Sequence, residues 1–94
     1  ENKAYKGKYN NVVIPIKTQK EWDSVVQKLL DGGAEWRSGD KDLKSYYFAG
    51  YGNKTNLAIE KGILSYGEMN QSYTQKLIQE DKYPIITPNQ ILNV

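Results

Sequence analysis

The side chains that carry most catalysis at neutral pH are missing: the chain holds no histidine and no cysteine. That excludes Ser-His-Asp triads, thiolate nucleophiles, histidine acid–base catalysis and Cys/His zinc sites. Carboxylates remain, and their spacing suits neither acid–base work nor metal binding. Asp40-Lys41-Asp42 lacks the further oxygen ligands, the glycine and the glutamate of a calcium loop. Glu21 and Asp23 fall at a helix start, where Glu21 is accounted for by capping. The stretch Gly50-Tyr51-Gly52-Asn53-Lys54-Thr55 has phosphate-loop composition. A phosphate loop, however, needs a longer glycine segment opening into a helix, and here the following residues read as a strand. No catalytic residue, metal or cofactor is expected, and the chain reads as one that works by binding.

Two sets of residues could form a binding surface. The first is Trp36, Arg37, Asp40, Lys41 and Lys44, from the loop region after residue 32, together with Tyr47 and Tyr51. Tryptophan and arginine are the side chains that most often dominate interfaces, and Arg37 is the only arginine in the chain. The second set suits RNA or single-stranded DNA: Lys3, Lys6 and Lys8 on phosphates, with Tyr46 and Phe48 stacking on bases. Lys44 to Tyr51 is faintly similar to the aromatic strand of an RNA-recognition motif. It lacks the glycine after the basic residue, and no second crossover helix accompanies it.

The elements that must position these residues follow from periodicity and punctuation. Ninety-four residues, 38% of them apolar and 26% charged, make one domain with a modest core. A net charge of +2 is too small to argue for nucleic acid by itself. No apolar run approaches a membrane span. Residues 1–11 are a basic arm expected to be flexible, and residues 12–94 a single α+β domain. Val12–Ile16 reads as a strand, in which Pro15 points to an edge position or a local irregularity. Thr18-Gln19-Lys20-Glu21 is a capping box. It opens a helix whose stripe is Trp22, Val25, Val26, Leu29 and Leu30, ended by Gly32-Gly33. Trp22 is expected in the core.

Ala34–Arg37 and Ser45–Ala49 read as short strands. Leu57–Glu60 and Ile63–Tyr66 read as a hairpin turning at Lys61-Gly62. Residues 67–82 fit a short helix or an ordered loop. Tyr83–Ile86 is extended, and Thr87-Pro88-Asn89-Gln90 starts a terminal helix or docked end with Ile91, Leu92 and Val94. The expected architecture is α+β: an antiparallel sheet of four to five short strands, with one long amphipathic helix packed on one face.

As a whole, the pattern resembles a loose group of small accessory proteins encoded by bacteriophages and prophages. The resemblance is carried by Thr18-x-x-Glu21-Trp22, by Leu29 to Gly39, by Ile63-Leu64-Ser65-Tyr66 and by Tyr83-Pro84-Ile85-Ile86-Thr87, and spans residues 12 to 92. It implies a viral, host-takeover or counter-defence role in the host cytoplasm, blocking a host or defence protein or sequestering a small signal nucleotide. It brings no established functional residues. A further alternative is an inhibitor domain from a processed precursor, since the chain begins at Glu1 rather than Met; a secreted or periplasmic location stays open. Edge strands and tyrosines would permit a homo-oligomer.

Overall fold

The computed structural model describes residues 1–93. The expectation that Val94 joins the terminal helix lies outside them. The β-branched segment Val12–Ile16 forms strand β1, and Thr18 then starts helix α1, Gln19–Asp31. The Thr18 hydroxyl accepts the Glu21 N–H at 3.1 Å. Glu21 reaches back one residue further than a capping box requires, accepting the Lys17 N–H at 2.8 Å. Trp22, Val25, Val26 and Leu29 are buried, while Leu30 is only partly covered. Burying four such side chains is worth roughly 6–12 kcal/mol before chain entropy is subtracted.

A 13-residue helix is about 20 Å long, enough to carry the chain back along the whole of β1. The strand that follows must therefore run in the direction of β1. This is strand β2, Glu35–Trp36, which pairs in parallel with β4 at the far edge of the sheet. Strands β3, Thr55–Glu60, and β4, Ile63–Glu68, form the expected hairpin. Lys61 and Gly62 both have positive φ, 52° and 80°, as a two-residue turn between right-twisted strands demands. The sheet has four strands in the order β1-β3-β4-β2 and is mixed, which corrects the antiparallel expectation. The single long helix is also corrected, because several shorter ones cover both faces.

The side of the sheet bearing Val12, Ile14, Ile16, Leu57, Ile59, Leu64 and Trp36 packs on α1 and on Ile91 of helix α4, Pro88–Leu92. The reverse side is smaller. There Val13 and Ala58 meet Leu77 of helix α3, Ser72–Gln79, and Thr74 donates to the buried Asn56 at 3.0 Å. Helix α4 carries the full reciprocal cap expected of Thr87 and Gln90. Pro15 does lie on an edge strand. The outer side of β1 is closed at Val13, whose N–H bonds Pro84 O at 3.0 Å and whose O accepts Ile86 N–H at 2.9 Å.

A third correction concerns Ser45–Ala49. This aromatic run forms a turn of 3₁₀ helix, Ser45–Tyr47, followed by the short helix α2, Phe48–Tyr51, and a second 3₁₀ turn, Gly52–Lys54. Lys44, at φ 52°, turns the chain, and its carbonyl accepts the Tyr47 N–H at 2.9 Å. Strand preference here is a preference for a half-buried pleated surface with a neighbour to pair with, and that place beside β4 belongs to β2.

Residues 1–11 carry their own contacts. The Asn2 side chain donates to Gly33 O at 2.8 Å and Gly62 O at 3.1 Å, and the Lys6 N–H bonds Gly32 O at 2.7 Å. Tyr5 and Tyr9 pack against the core. A Cβ at Gly33 would stand 2.5 Å from Ala4 O, and one at Gly62 would stand 2.6 Å from Asn2 O. The segment's path therefore depends on both turns being glycine.

Candidate functional site

The site is built outward from two buried tryptophans. Trp22 on α1 and Trp36 on β2 stack, with centroids 6.0 Å apart and planes 18° from parallel. Each indole N–H points to the connection between β2 and the first 3₁₀ turn. Trp36 Nε1 donates to Asp42 O at 2.8 Å, and Trp22 Nε1 donates to Leu43 O at 3.0 Å. The connection is held from beneath at consecutive carbonyls, and this fixes where Lys44 and the following tyrosines emerge.

Lys44 folds back over its own loop. Its ammonium lies 2.7 Å from Asp40 and 3.4 Å from Asp42, and its side chain is only 13% exposed. The hydrogen bond to Asp40 pushes the Lys44 pKa well above the usual lysine range and holds the Asp40 carboxyl below its usual value. The same ammonium stands 6.0 Å from the Tyr47 ring centroid. Two positive-φ lysine torsions were unforeseen, and this one at Lys44 serves to turn the loop into the aromatic run.

On this base rests a face of tyrosines. Tyr47 stacks on Tyr66 of β4 at 4.3 Å with planes 13° apart. Tyr46 meets Tyr47 edge-on at 4.8 Å, and Tyr51 lies 6.1 Å from Tyr66. Tyr66 and Tyr47 each set an edge or face against the buried indoles below, at 5.8 Å from Trp22 and Trp36 respectively. Such ring pairs add about 0.5–1.5 kcal/mol each beyond area burial, so the face is rigid. Tyr46 is 68% exposed and Tyr66 38%. Partial burial, then the neighbouring phenols of Tyr47, Tyr51 and Tyr46, raise the Tyr66 pKa. A cavity of about 300 Å³ opens beside the stack, lined by Trp36, Arg37, Ser38, Lys44, Tyr47, Leu64, Ser65 and Tyr66.

The fold gathers Trp36, Arg37, Lys44, Tyr47 and Tyr51 of the first set around this face. Trp36 is floor rather than contact surface, being 5% exposed. Asp40 is exposed and committed to Lys44, and Lys41 is exposed nearby in the chain. Tyr51 accepts from Gln71 Nε2 at 2.9 Å. The second set is dispersed. Lys6 and its neighbours run past Gly32, at the C-terminal end of α1, whereas Ser45 is bonded by Gln19 at the N-terminal end. One helix length, about 20 Å, separates those ends. Phe48 packs against the core and only Tyr46 is well exposed. The strand alternation that was expected to sort Tyr46 and Phe48 from Tyr47 does not operate in helical turns.

Tyr66, the centre of the face, is absent from both sets. Its signal was in the sequence: Leu64 and Tyr66 alternate on one side of β4, so a helix-facing Leu64 puts Tyr66 beyond the end of α1's coverage. Ser65 and Gln71 are likewise in neither set, and only the tertiary contacts reveal them. On the reverse side of the sheet a smaller polar cluster joins Tyr73 to Glu60 Oε1, with Tyr83 3.4 Å from Glu60 Oε2. Burial and Glu60 raise both phenol pKa values.

Among the described residues, no group of three or more His, Cys, Asp or Glu side chains could hold a metal ion, and no helix is long and apolar enough to cross a membrane. Comparison with protein-family models, curated proteins and solved structures finds no match to this chain.

Proposed function

We propose that this protein acts without catalysis, by binding another protein through its tyrosine face and occupying a surface that the partner needs. One observation carries the reading: Tyr46, Tyr47, Tyr51 and Tyr66 form a preassembled, partly exposed ring surface over a buried tryptophan pair. Tyrosine offers large amphipathic area with little side-chain freedom to lose, which is why it is enriched in binding surfaces. Rings already locked by one another lose less still. The resemblance to phage and prophage accessory proteins makes a host or defence protein the partner, met in the host cytoplasm.

The rival ligands have less support. A nucleotide phosphate needs an available cation; the Lys44 ammonium is already shared by Asp40 and Asp42, and Arg37 interacts with Tyr73. RNA or single-stranded DNA needs lysines and stacking rings on one surface, and these lie about a helix length apart.

The test compares the protein with its Tyr46→Ser/Tyr66→Ser variant, both immobilised in bacterial lysate with and without nuclease. A stoichiometric protein partner should survive nuclease on the original chain. The variant should lose it while keeping its circular dichroism and cooperative melt. Two anchors of about 2 kcal/mol each predict affinity weakened by roughly 10²–10³-fold. Equal capture by both proteins would remove the tyrosine face from consideration. Recovery that disappears with nuclease would favour nucleic acid.

A further inference from the structure

Strand β2 ends early, and the edge it leaves open adjoins the tyrosine face. Val13 turns its N–H outward to Pro84 O and its O outward to Ile86 N–H, so Val12 and Ile14 face β3. Ala58 and Glu60 then face β4, and Ile63, Ser65 and Gly67 face back toward them. Leu64, Tyr66 and Glu68 consequently present their main-chain groups to the outer side.

Two of these three are accounted for. Leu64 lies opposite Trp36 in the parallel pair with β2. Glu68 is closed by Gln71, whose side-chain oxygen accepts its N–H at 3.1 Å and whose own N–H reaches its carbonyl at 3.0 Å. Tyr66 lies between them. The β2 pairing stops at Trp36 and Leu64, and the chain turns away through bonds from Trp36 N–H to Asp40 O and from Gly39 N–H to Trp36 O, at 2.9 and 2.7 Å. Among the described residues, the N–H and O of Tyr66 have no strand partner. The cavity of about 300 Å³ opens at that same residue, floored by Trp36 and Leu64 and walled by Tyr47 and Tyr66.

We infer that this edge receives an extended segment of the partner protein, which continues the sheet beside Tyr66 and places one large apolar side chain in the cavity. The inference rests on the reading of the tyrosine face as a protein-binding surface and names how the partner is held. A donor and an acceptor side by side on one edge residue are the complement of another strand's main chain, the arrangement used in β-strand addition. Alternate side chains of the added strand point to one face of the sheet, so the residue paired with Tyr66 or its neighbour directs its side chain to the aromatic side. Lys44 beside the cavity is balanced by Asp40 and Asp42, Arg37 interacts with Tyr73, and the rings of Trp36, Tyr47 and Tyr66 with Leu64 offer an apolar side chain its contacts.

Amide hydrogen exchange by NMR, with a displayed library of random short peptides as the ligand source, tests this. In the free protein the Tyr66 amide should exchange fast while those of Leu57 and Ile59, which face β1, exchange slowly. The best selected peptide should slow Tyr66 exchange at least tenfold. N-methylation at one peptide position should weaken its binding by about tenfold or more, through loss of the hydrogen bond to Tyr66. Five results overturn the inference. Tyr66 could prove protected in the free protein, or become protected merely as protein concentration rises, which would assign the edge to a second copy. The library could yield no peptide that binds. A peptide could shift the tyrosine ring resonances yet leave Tyr66 exchange fast, and the tyrosine face would then stand without strand addition. Peptides that bind while perturbing neither the rings nor Tyr66 would overturn both readings together.

Discussion

Replacing Trp36 by phenylalanine keeps an aromatic ring against Trp22 and Tyr47 but deletes the N–H that holds Asp42 O at 2.8 Å. That single bond tests what positions the tyrosine face. Two devices compete for the role: the paired indole N–H groups beneath the loop, and the Lys44 bridges to Asp40 and Asp42 above it. The carboxylates of these bridges stand in water, Asp40 at 53% and Asp42 at 64% exposure, where screening and lost side-chain freedom leave an ion pair worth little. A part-buried carbonyl stripped of its donor costs about 1–3 kcal/mol, and the smaller ring adds a packing loss. Trp36→Phe is therefore expected to destabilise by about 2–3 kcal/mol, Trp22→Phe by a similar amount, and Lys44→Met by clearly less than either. Because the indoles touch and serve one loop, the double tryptophan variant should depart from additivity by about 0.5 kcal/mol or more. Urea unfolding measures each difference. In a domain of this size 2 kcal/mol also lowers Tm by roughly 8–16 °C. A Lys44→Met variant less stable than Trp36→Phe would refute the reasoning and assign the loop's position to its charges.

Alkali should unfold the protein through its phenols. Tyr5, Tyr66, Tyr73 and Tyr83 all have pKa values raised by burial, so the folded state favours their protonated forms. The stability this contributes is fully present below about pH 10 and is lost as pH rises through the folded values. Part of the phenolate absorbance should therefore appear only together with the loss of circular dichroism, and phenolate formation completed before the circular dichroism changes would contradict the placement. Gly33→Ala and Gly62→Ala should each cost about 1–2 kcal/mol in backbone strain, at φ 101° and 80°. Each should also push residues 1–6 off their seat, which limited proteolysis near the N-terminus would register as faster cleavage. Thr74→Val should cost about 1–3 kcal/mol by leaving the buried Asn56 oxygen without its donor, and a loss within error of zero by urea titration would mean water takes its place.

What could be read from the sequence alone was whatever is decided within a few residues. Thr18 and Glu21 start α1, and the stripe from Trp22 to Leu29 marks its buried side. Lys61-Gly62 turns the hairpin, Thr87 to Gln90 caps α4, and Pro15 marks an edge strand. Each of these signals is a torsion, a cap or a short-range periodicity, satisfied by neighbours in the chain. The absence of histidine and cysteine narrowed the chemistry in the same local way.

Only the tertiary structure decided the rest, because it depended on which segments compete for the same partner. β2 runs parallel to β4 because α1 returns the chain to the end from which β1 began. Residues 45–51, rich in strand-forming aromatics, form helical turns against the aromatic face, while β2 takes the place beside β4 at Ile63 and Leu64. That change brought Tyr47 onto Tyr66, nineteen residues later, and set both over a pair of indoles from two other elements. Residue type announced a surface rich in binding side chains. Its centre at Tyr66, and the edge left open there when β2 ends after two residues, are properties of the sheet's order and register, which no local interaction specifies.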